Sequence, residues 1–217
     1  MDHHRHVAKE YAEHAAYYDQ RWARYNRASC SGTLNAVAQC LSSTDTDTPL
    51  SLLDIACGTG LLLAQIHETQ PAINLFGIDL SAHMLAKAQQ RLGAQVDLQQ
   101  GNAEQLPFPD RQFDLAVCNS AAQHFTSLGG FLNEAFRVLK PGGQLVLTVW
   151  ASDRLIARLH YRWLRWRHPA IHRILKTSGY AELLNLNGFT LLDASQYSAG
   201  PLWTLTTLRA RKPPQIA

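Results

Sequence analysis

No apolar run in this 217-residue chain approaches the roughly 18–20 residues that a membrane-crossing helix needs, so a helical span is not expected. The opening Met1-Asp2-His3-His4-Arg5-His6 has no apolar stretch of the secretory kind, and the expected compartment is the cytoplasm. Cysteine is scarce. Cys30, Cys40, Cys57 and Cys118 form no C-x-x-C pair and keep no zinc spacing with histidine, which argues against a disulfide scaffold and against a bound metal. The early histidines read as a solvated, frayed terminus rather than a metal site. Charge is modest too: 17% charged residues and a net +3 do not build a polyanion-binding surface. Internal repeats and low-complexity stretches are missing. What is left is an ordinary globular composition, 46% hydrophobic, long enough for one ample core and short for two.

The most informative stretch is Leu52-Leu-Asp-Ile-Ala-Cys-Gly-Thr-Gly60, an apolar strand that carries an acid, Asp54, and breaks into a two-glycine turn. A strand turning sharply into a helix leaves free backbone N–H groups and a crevice above its C-terminal edge. A carboxylate at that edge disfavours a pyrophosphate and suits an ammonium group and sugar hydroxyls. The ligand this points to is S-adenosylmethionine. From Leu50 onward strand and helix patterns alternate. Strands are expected at Leu52–Ala56, Asn74–Asp79, Val96–Gln100, Phe113–Asn119 and Gln144–Trp150, and helices at Leu61–Thr69, Ser81–Leu92 and Leu128–Leu139. Ser81 is placed to cap a helix, Gly93 to end it, and Pro141-Gly142-Gly143 to stop the helix before the fifth strand. Short connections imply right-handed crossovers and a Rossmann-like, doubly wound α/β sheet. Phe189–Ala194 and Leu202–Ala210 read as two more strands. The seven residues between them are too few for a crossover helix, so an antiparallel hairpin should close the sheet. Upstream, Tyr11 to Cys40 reads as one or two helices with Tyr11 and Tyr18 on one face, followed by a polar loop over 41–49.

Candidate ligand residues fall at successive strand ends. Asp54 and Gly58-Thr59-Gly60 end the first strand. Asp79 ends the second, where a carboxylate can accept both ribose hydroxyl hydrogens and repels a 2′-phosphate. Asn102 and Ala103 follow the third, where an amide and a backbone N–H can read adenine, and Asn119 ends the fourth, near a reactive methyl. Each piece alone is as often a plain turn or a solvated strand end; their order and spacing make coincidence a poor explanation. A nicotinamide or flavin dinucleotide requires G-x-G-x-x-G, but Leu63 takes the third-glycine place here, and that reading loses.

These motifs resemble the class I S-adenosylmethionine-dependent methyltransferases, in the small-molecule (type 11) group that includes the quinone-biosynthesis methyltransferases. Leu53 to Gly60 is similar to the family's first motif, and Gly77-Ile-Asp79-Leu80-Ser81 to its ribose motif, with Met84 near adenine. Gly101-Asn102-Ala103-Glu104 with Leu106-Pro107-Phe108 resembles the adenine segment. Phe113 to Asn119 resembles the fourth strand, and Leu139 to Gly143 the turn before the fifth. Ala56 stands in place of the first glycine of the fuller motif, and Asn102 where many relatives carry aspartate. The resemblance implies seven strands in order 3-2-1-4-5-7-6. It also implies S-adenosylmethionine held by Asp54, Ala56, Gly58, Gly60, Asp79, Leu80, Met84, Asn102, Ala103 and Asn119, with S-adenosylhomocysteine as product. The chain then divides as one domain over 1–217: an N-terminal helical lid (1–49), the cofactor-binding core (50–150), a helical insertion (151–187) and the strand hairpin (188–212).

Methyl transfer from a sulfonium is an in-line displacement, so the main task is to hold donor and nucleophile close, collinear and dry. A base is needed only if the nucleophile stays protonated. His124, five residues past Asn119, could accept such a proton, or it could cap a helix or pack beneath the cofactor loop. Tyr18, with Tyr11, Tyr17 and Arg21, resembles the family's lid helix; the alternative is a stripe packed on the core. The acceptor is expected to be a small organic molecule methylated at O, N or C. Asn119-Ser120-Ala121 lacks the prolines and aromatic of amide and exocyclic-amine enzymes, Cys118 after Val117 lacks the context of a cytosine-carbon nucleophile, and no second acidic cluster suits a magnesium-dependent catechol enzyme. Two alternatives stay open, a membrane-partitioned lipophilic or quinone-type acceptor and a cofactor-binding protein without turnover. Residues 154–176 carry Arg154, Arg158, Arg162, Arg165, Arg167, Arg173 and Lys176, interleaved with Tyr161, Trp163 and Trp166. Arg158, Arg162 and Arg165 share a helical face, as do Leu155, Leu159 and Trp163. This segment reads as a cover helix with a solvated basic face, as a peripheral membrane contact, or as a grip on phosphates, with nucleic acid the least expected partner. The sequence leaves the oligomeric state open.

Overall fold

Strands that are apolar on both faces must be covered on both, and the fold follows from that need. In the computed structural model, which describes residues 3–14, 17–42, 48–168 and 170–215, the strands are β1 (Ser51–Ile55), β2 (Asn74–Asp79), β3 (Asp97–Gln100), β4 (Phe113–Asn119), β5 (Leu139–Trp150), β6 (Thr190–Gly200) and β7 (Trp203–Arg211). The helices are α1 (His3–His14), α2 (Tyr18–Arg21), α3 (Ala23–Ser42), α4 (Leu61–Thr69), α5 (Ala82–Leu92), α6 (Leu128–Val138), α7 (Leu155–Arg167) and α8 (Thr177–Leu186). The strands form one sheet in the order β3-β2-β1-β4-β5-β7-β6. All pairings are parallel except β5 with β7 and β7 with β6, which are antiparallel. Order and closing hairpin are those expected.

Alternation assigns each side chain to a layer. On β1, Leu52 packs with Val37, Leu63 and Ile66, while Leu53 and Ile55 pack with Phe131, Val138 and Leu184. The same division separates Val146 from Leu145 and Leu147 on β5. All four cysteines are buried and none is in a disulfide, and burial pushes the Cys30 and Cys40 thiols up to about 11. Cys118 is a core residue with no exposed surface. Ser81 caps α5 by accepting from the Met84 amide.

Four details differ from the sequence reading. The hairpin strands run on until only Pro201 and Leu202 separate them. The polar stretch Ser195–Ser198 hid that extension because β6 is an edge strand, largely exposed, and needs no apolar alternation. β5 starts at Leu139 and takes in Pro141–Gly143, with a register irregularity against β4 between Phe113 and Leu115. The early histidines are not frayed: the His3 ring donates to the His124 carbonyl at 2.9 Å and lies 5.7 Å from the His172 ring. Finally, α7 buries Ala157, Tyr161 and Leu164, so Leu155 and Leu159 point outward. Met1, Asp2 and part of the polar loop over 41–49 lie outside the described residues. Among the described residues no helix is long and apolar enough to cross a membrane.

At the end of β1, Ala56 adopts φ 63°, the left-handed region in which a Cβ costs about 1–2 kcal/mol. Ala56→Gly should therefore raise the unfolding free energy by about 1 kcal/mol. Urea denaturation of the two proteins checks this; equal midpoints would show that the turn relaxes around alanine.

Candidate functional site

The C-terminal ends of β1, β2 and β4 open into one cleft. Its walls include Ala56, Gly58, Asp79, Leu80, Met84, Asn102, Ala103 and Asn119, and it continues past Gly58 and Asn119 to Asp54. The structure thus brings together the predicted residues with one exception. Gly60 lines neither part. A Cβ on Gly60 would meet Leu92 at 2.8 Å and Ala88 at 3.0 Å, and its φ of 72° suits glycine, so this position serves the packing of the turn on α5. Gly58, also left-handed at φ 56°, has open space where a side chain would go. Leu63, in the third-glycine place of a dinucleotide fingerprint, is fully buried, and Gly77 on β2 leaves the room for it: a Cβ there would lie 2.9 Å from the Leu63 side chain.

The two acids differ in their partners. Asp79 accepts the Gly58 amide on one oxygen and the Ser81 amide on the other, each at 2.8 Å, leaving a lone pair on each oxygen toward the cleft. Burial raises its pKa, and the Ser81, Gly58 and Leu80 amides oppose that rise. Asp54 is 2% exposed, and its Oδ1 has no hydrogen-bond partner. Burial, with the nearby Asp79 charge, pushes the Asp54 carboxyl up to about 8. A buried carboxyl oxygen without a partner is a place for a cationic hydrogen-bond donor. Asn102 folds its side-chain oxygen onto the Glu104 amide, and Glu104 in turn accepts the Thr126 and Ser127 amides, joining the loops after β3 and β4. Ser120, just past Asn119, holds a strained φ of 59°.

The N-terminal helices roof this cleft. His4, Val7, Ala8 and Tyr11 of α1 line it; their spacing is that of one helix face, a signal the sequence reading lost by starting the helix at Tyr11. The Asp19 carboxylate on α2 accepts from the Thr59 hydroxyl at 2.8 Å and pairs with Arg91 of α5, which also donates to the Thr59 carbonyl. That latch ties the roof to the glycine turn. Beyond Tyr11, Tyr18, Ser120 and His124 the cleft adjoins a second chamber of about 310 Å³. Trp22, Tyr25, Trp150, Trp163 and Trp203 line it, with Arg21 in its wall. Trp150 donates to the Tyr25 hydroxyl at 2.6 Å, and Tyr25 donates to Ser120 at 2.7 Å.

His124 stands where cleft and chamber meet, yet its ring is committed. Nδ1 donates to the Ala170 carbonyl at 2.8 Å, so Nε2 carries the lone pair that accepts from the Tyr11 hydroxyl at 2.8 Å. Burial lowers its pKa to about 4 and raises that of Tyr11 well above the usual phenol value. An imidazole with that pKa and an occupied lone pair is a poor proton acceptor. The geometry gives it the task of orienting Tyr11. Tyr18 lines both cavities, its ring 5.8 Å from that of Tyr11.

A seven-stranded doubly wound sheet of this order, with acids and a glycine turn at the strand ends, defines a Rossmann-like methyltransferase fold. Residues 53–147, from β1 into β5, match the family model of the methyltransferase domain. It is 36% identical over 143 residues to the ubiquinone/menaquinone biosynthesis C-methyltransferase of Desulfotalea psychrophila, covering 64% of this chain and 58% of that protein. To the demethylmenaquinone methyltransferase of Symbiobacterium thermophilum it is 40% identical over 101 residues, 44% of this chain and 40% of the relative. The chain therefore spans about half the length of the curated relatives it matches. Among solved structures, an S-adenosylmethionine-dependent methyltransferase of Thermotoga maritima shares the fold at TM-score 0.74 and 21% identity, covering 95% of this chain and all of that one. A phosphoethanolamine N-methyltransferase of Haemonchus contortus, solved with S-adenosylhomocysteine, gives 0.67 at 18% identity, covering 82% and 52%.

The His124 pKa has a stability consequence. The unfolded imidazole takes up a proton below about pH 6.5 while the folded one stays neutral to about 4, so acid favours unfolding across that window. Wild type should lose up to about 3 kcal/mol relative to His124→Gln between pH 7 and 4. Paired urea titrations measure the difference; a pH-independent gap would mean His124 titrates normally.

Proposed function

We propose that this protein transfers a methyl group from S-adenosylmethionine to a small, flat, largely apolar acceptor of the quinone type. The observation that carries the reading is the joining of two unlike cavities at Tyr11, Tyr18, Ser120 and His124: an acid-lined cleft with a glycine turn, and an aromatic chamber of ring size. The chain's resemblance to quinone methyltransferases supports the acceptor class.

The residues present fit the donor. The free Asp54 oxygen suits its ammonium group, and Asp79 its two ribose hydroxyls. Leu80, Met84, Asn102 and Ala103 line the part of the cleft that would take its flat heterocycle, and Asn119 and Tyr18 border the passage toward the chamber. When bound, the donor supplies an electrophilic methyl. The chain holds the acceptor ring between indoles and phenols, excludes water beneath the α1 roof, and sets the two cavities end to end. A protein that binds the donor without turnover would release no S-adenosylhomocysteine when offered a demethylated quinol; release sustained over many equivalents is expected.

Binding should also move a proton. Asp54 is mostly protonated in the free protein at pH 7 and would ionise beside an ammonium group. Calorimetry of S-adenosylhomocysteine binding in buffers of different ionisation enthalpy should show release of about one proton, lost in Asp54→Asn. No proton release from wild type would show that Asp54 does not change charge on binding, and unchanged affinity in Asp54→Asn would remove it from the site. Asp79→Ala should weaken the same binding at least about tenfold, through loss of two hydroxyl contacts and a loosened turn; unchanged affinity would remove Asp79.

A further inference from the structure

Helix α7 is apolar on two opposite sides, and only one of them is used by the fold. Ala157, Tyr161 and Leu164 face inward, with Tyr161 donating to the Thr204 carbonyl at 2.9 Å. At roughly 100° per residue, Leu155, Trp166, Leu159, Trp163 and Ile156 fall within an arc of about 100° on the far side. They are 62%, 77%, 56%, 52% and 52% exposed. Single exposed apolar side chains are ordinary; five large ones in a contiguous ridge mark a surface that meets something. Arg158, Arg162 and Arg165 border the ridge on one side and Arg167 on the other, all exposed. Among the described residues none of these four is in an ion pair, and the segment 154–176 contains no acid.

The charge decides the occupant. A second copy of the chain would set arginine against arginine across the ridge. An anionic bilayer instead takes the leucines and indoles into its interface and the guanidinium groups among its headgroups. Arg162 and Arg165 also line a shallow cleft with Trp166 and His172, which places two cations beside an interfacial indole, where a lipid phosphate would sit. We infer that α7 seats this protein on an anionic lipid surface, ridge down. Trp163 links the ridge to the site, since it belongs both to the exposed arc and to the wall of the aromatic chamber. Entry of a lipophilic acceptor along Trp163 rests on the proposed function; the docking does not.

The test is co-sedimentation of the full chain with vesicles of phosphatidylcholine alone and of phosphatidylcholine with about one-third phosphatidylglycerol. Wild type should partition at least about tenfold more strongly onto the anionic vesicles, and less so as salt rises. Leu159→Ser/Trp166→Ser should lose at least about tenfold of that partitioning, and Arg158→Gln/Arg162→Gln should fall toward the level of neutral vesicles. Both pairs are exposed, so circular dichroism and S-adenosylhomocysteine binding should match wild type. Wild type left in the supernatant with both vesicles would overturn the inference, as would either double variant binding as well as wild type. A sedimentation-velocity dimer dissociated by Leu159→Ser/Trp166→Ser would give the ridge to a second copy and overturn it too. Neither vesicle requires a methyl donor, so docking without turnover sinks only the proposed function, and turnover without docking sinks only this inference.

Discussion

Asp79 holds three pieces of backbone together: its own strand end, the Gly58 amide after β1 and the Ser81 amide that begins α5. Burial raises the Asp79 pKa, and those donors oppose the rise. In return the carboxylate fixes how far the glycine turn stands from α5, and so the floor of the cleft. The rest leans on this clip. The Cys57 amide reaches the Ile78 carbonyl at 3.0 Å one step before it, and the negative charge at 79 adds to what burial does to Asp54. The Thr59–Asp19–Arg91 latch closes over the same turn from above.

The strand ends were legible because parallel strands are apolar until they stop, and the residue that stops them faces the crevice. Asp54, Asp79 and Asn119 announce themselves for that reason, and the short gap before β7 gave away its antiparallel partner. Gly60 shows the limit of such reasoning: glycine at a turn can answer to a ligand or to a neighbouring helix, and only the approach of Ala88 and Leu92 tells which. The roof was hidden differently. Asp19 and Arg91 lie far apart in sequence, and nothing local marks an aspartate that a distant arginine will claim. The aromatic chamber drew Trp22, Tyr25, Trp150, Trp163 and Trp203 from separate segments, so no single stretch of sequence marks it. On α7 the pattern revealed an apolar face but not its direction; a second, smaller apolar face took the inward position.

The chemistry needs little that the sequence could have shown. Proximity and alignment carry a displacement at an activated methyl, and these are properties of two cavities meeting rather than of a motif. His124 illustrates how a plausible base becomes something else once its surroundings are known. With one nitrogen spent on Ala170 and the other on Tyr11, it locks a phenol in place at the junction. Tyr25, bridging Ser120 and the Trp150 indole, does the same for the chamber side.

The sulfur inventory carries a consequence of its own. Every thiol is interior and outside any disulfide, and burial raises the pKa of each one. Oxidants and alkylating reagents attack thiolates at accessible positions. Once folded, the protein therefore needs no disulfide, and its thiols are shielded from such reagents.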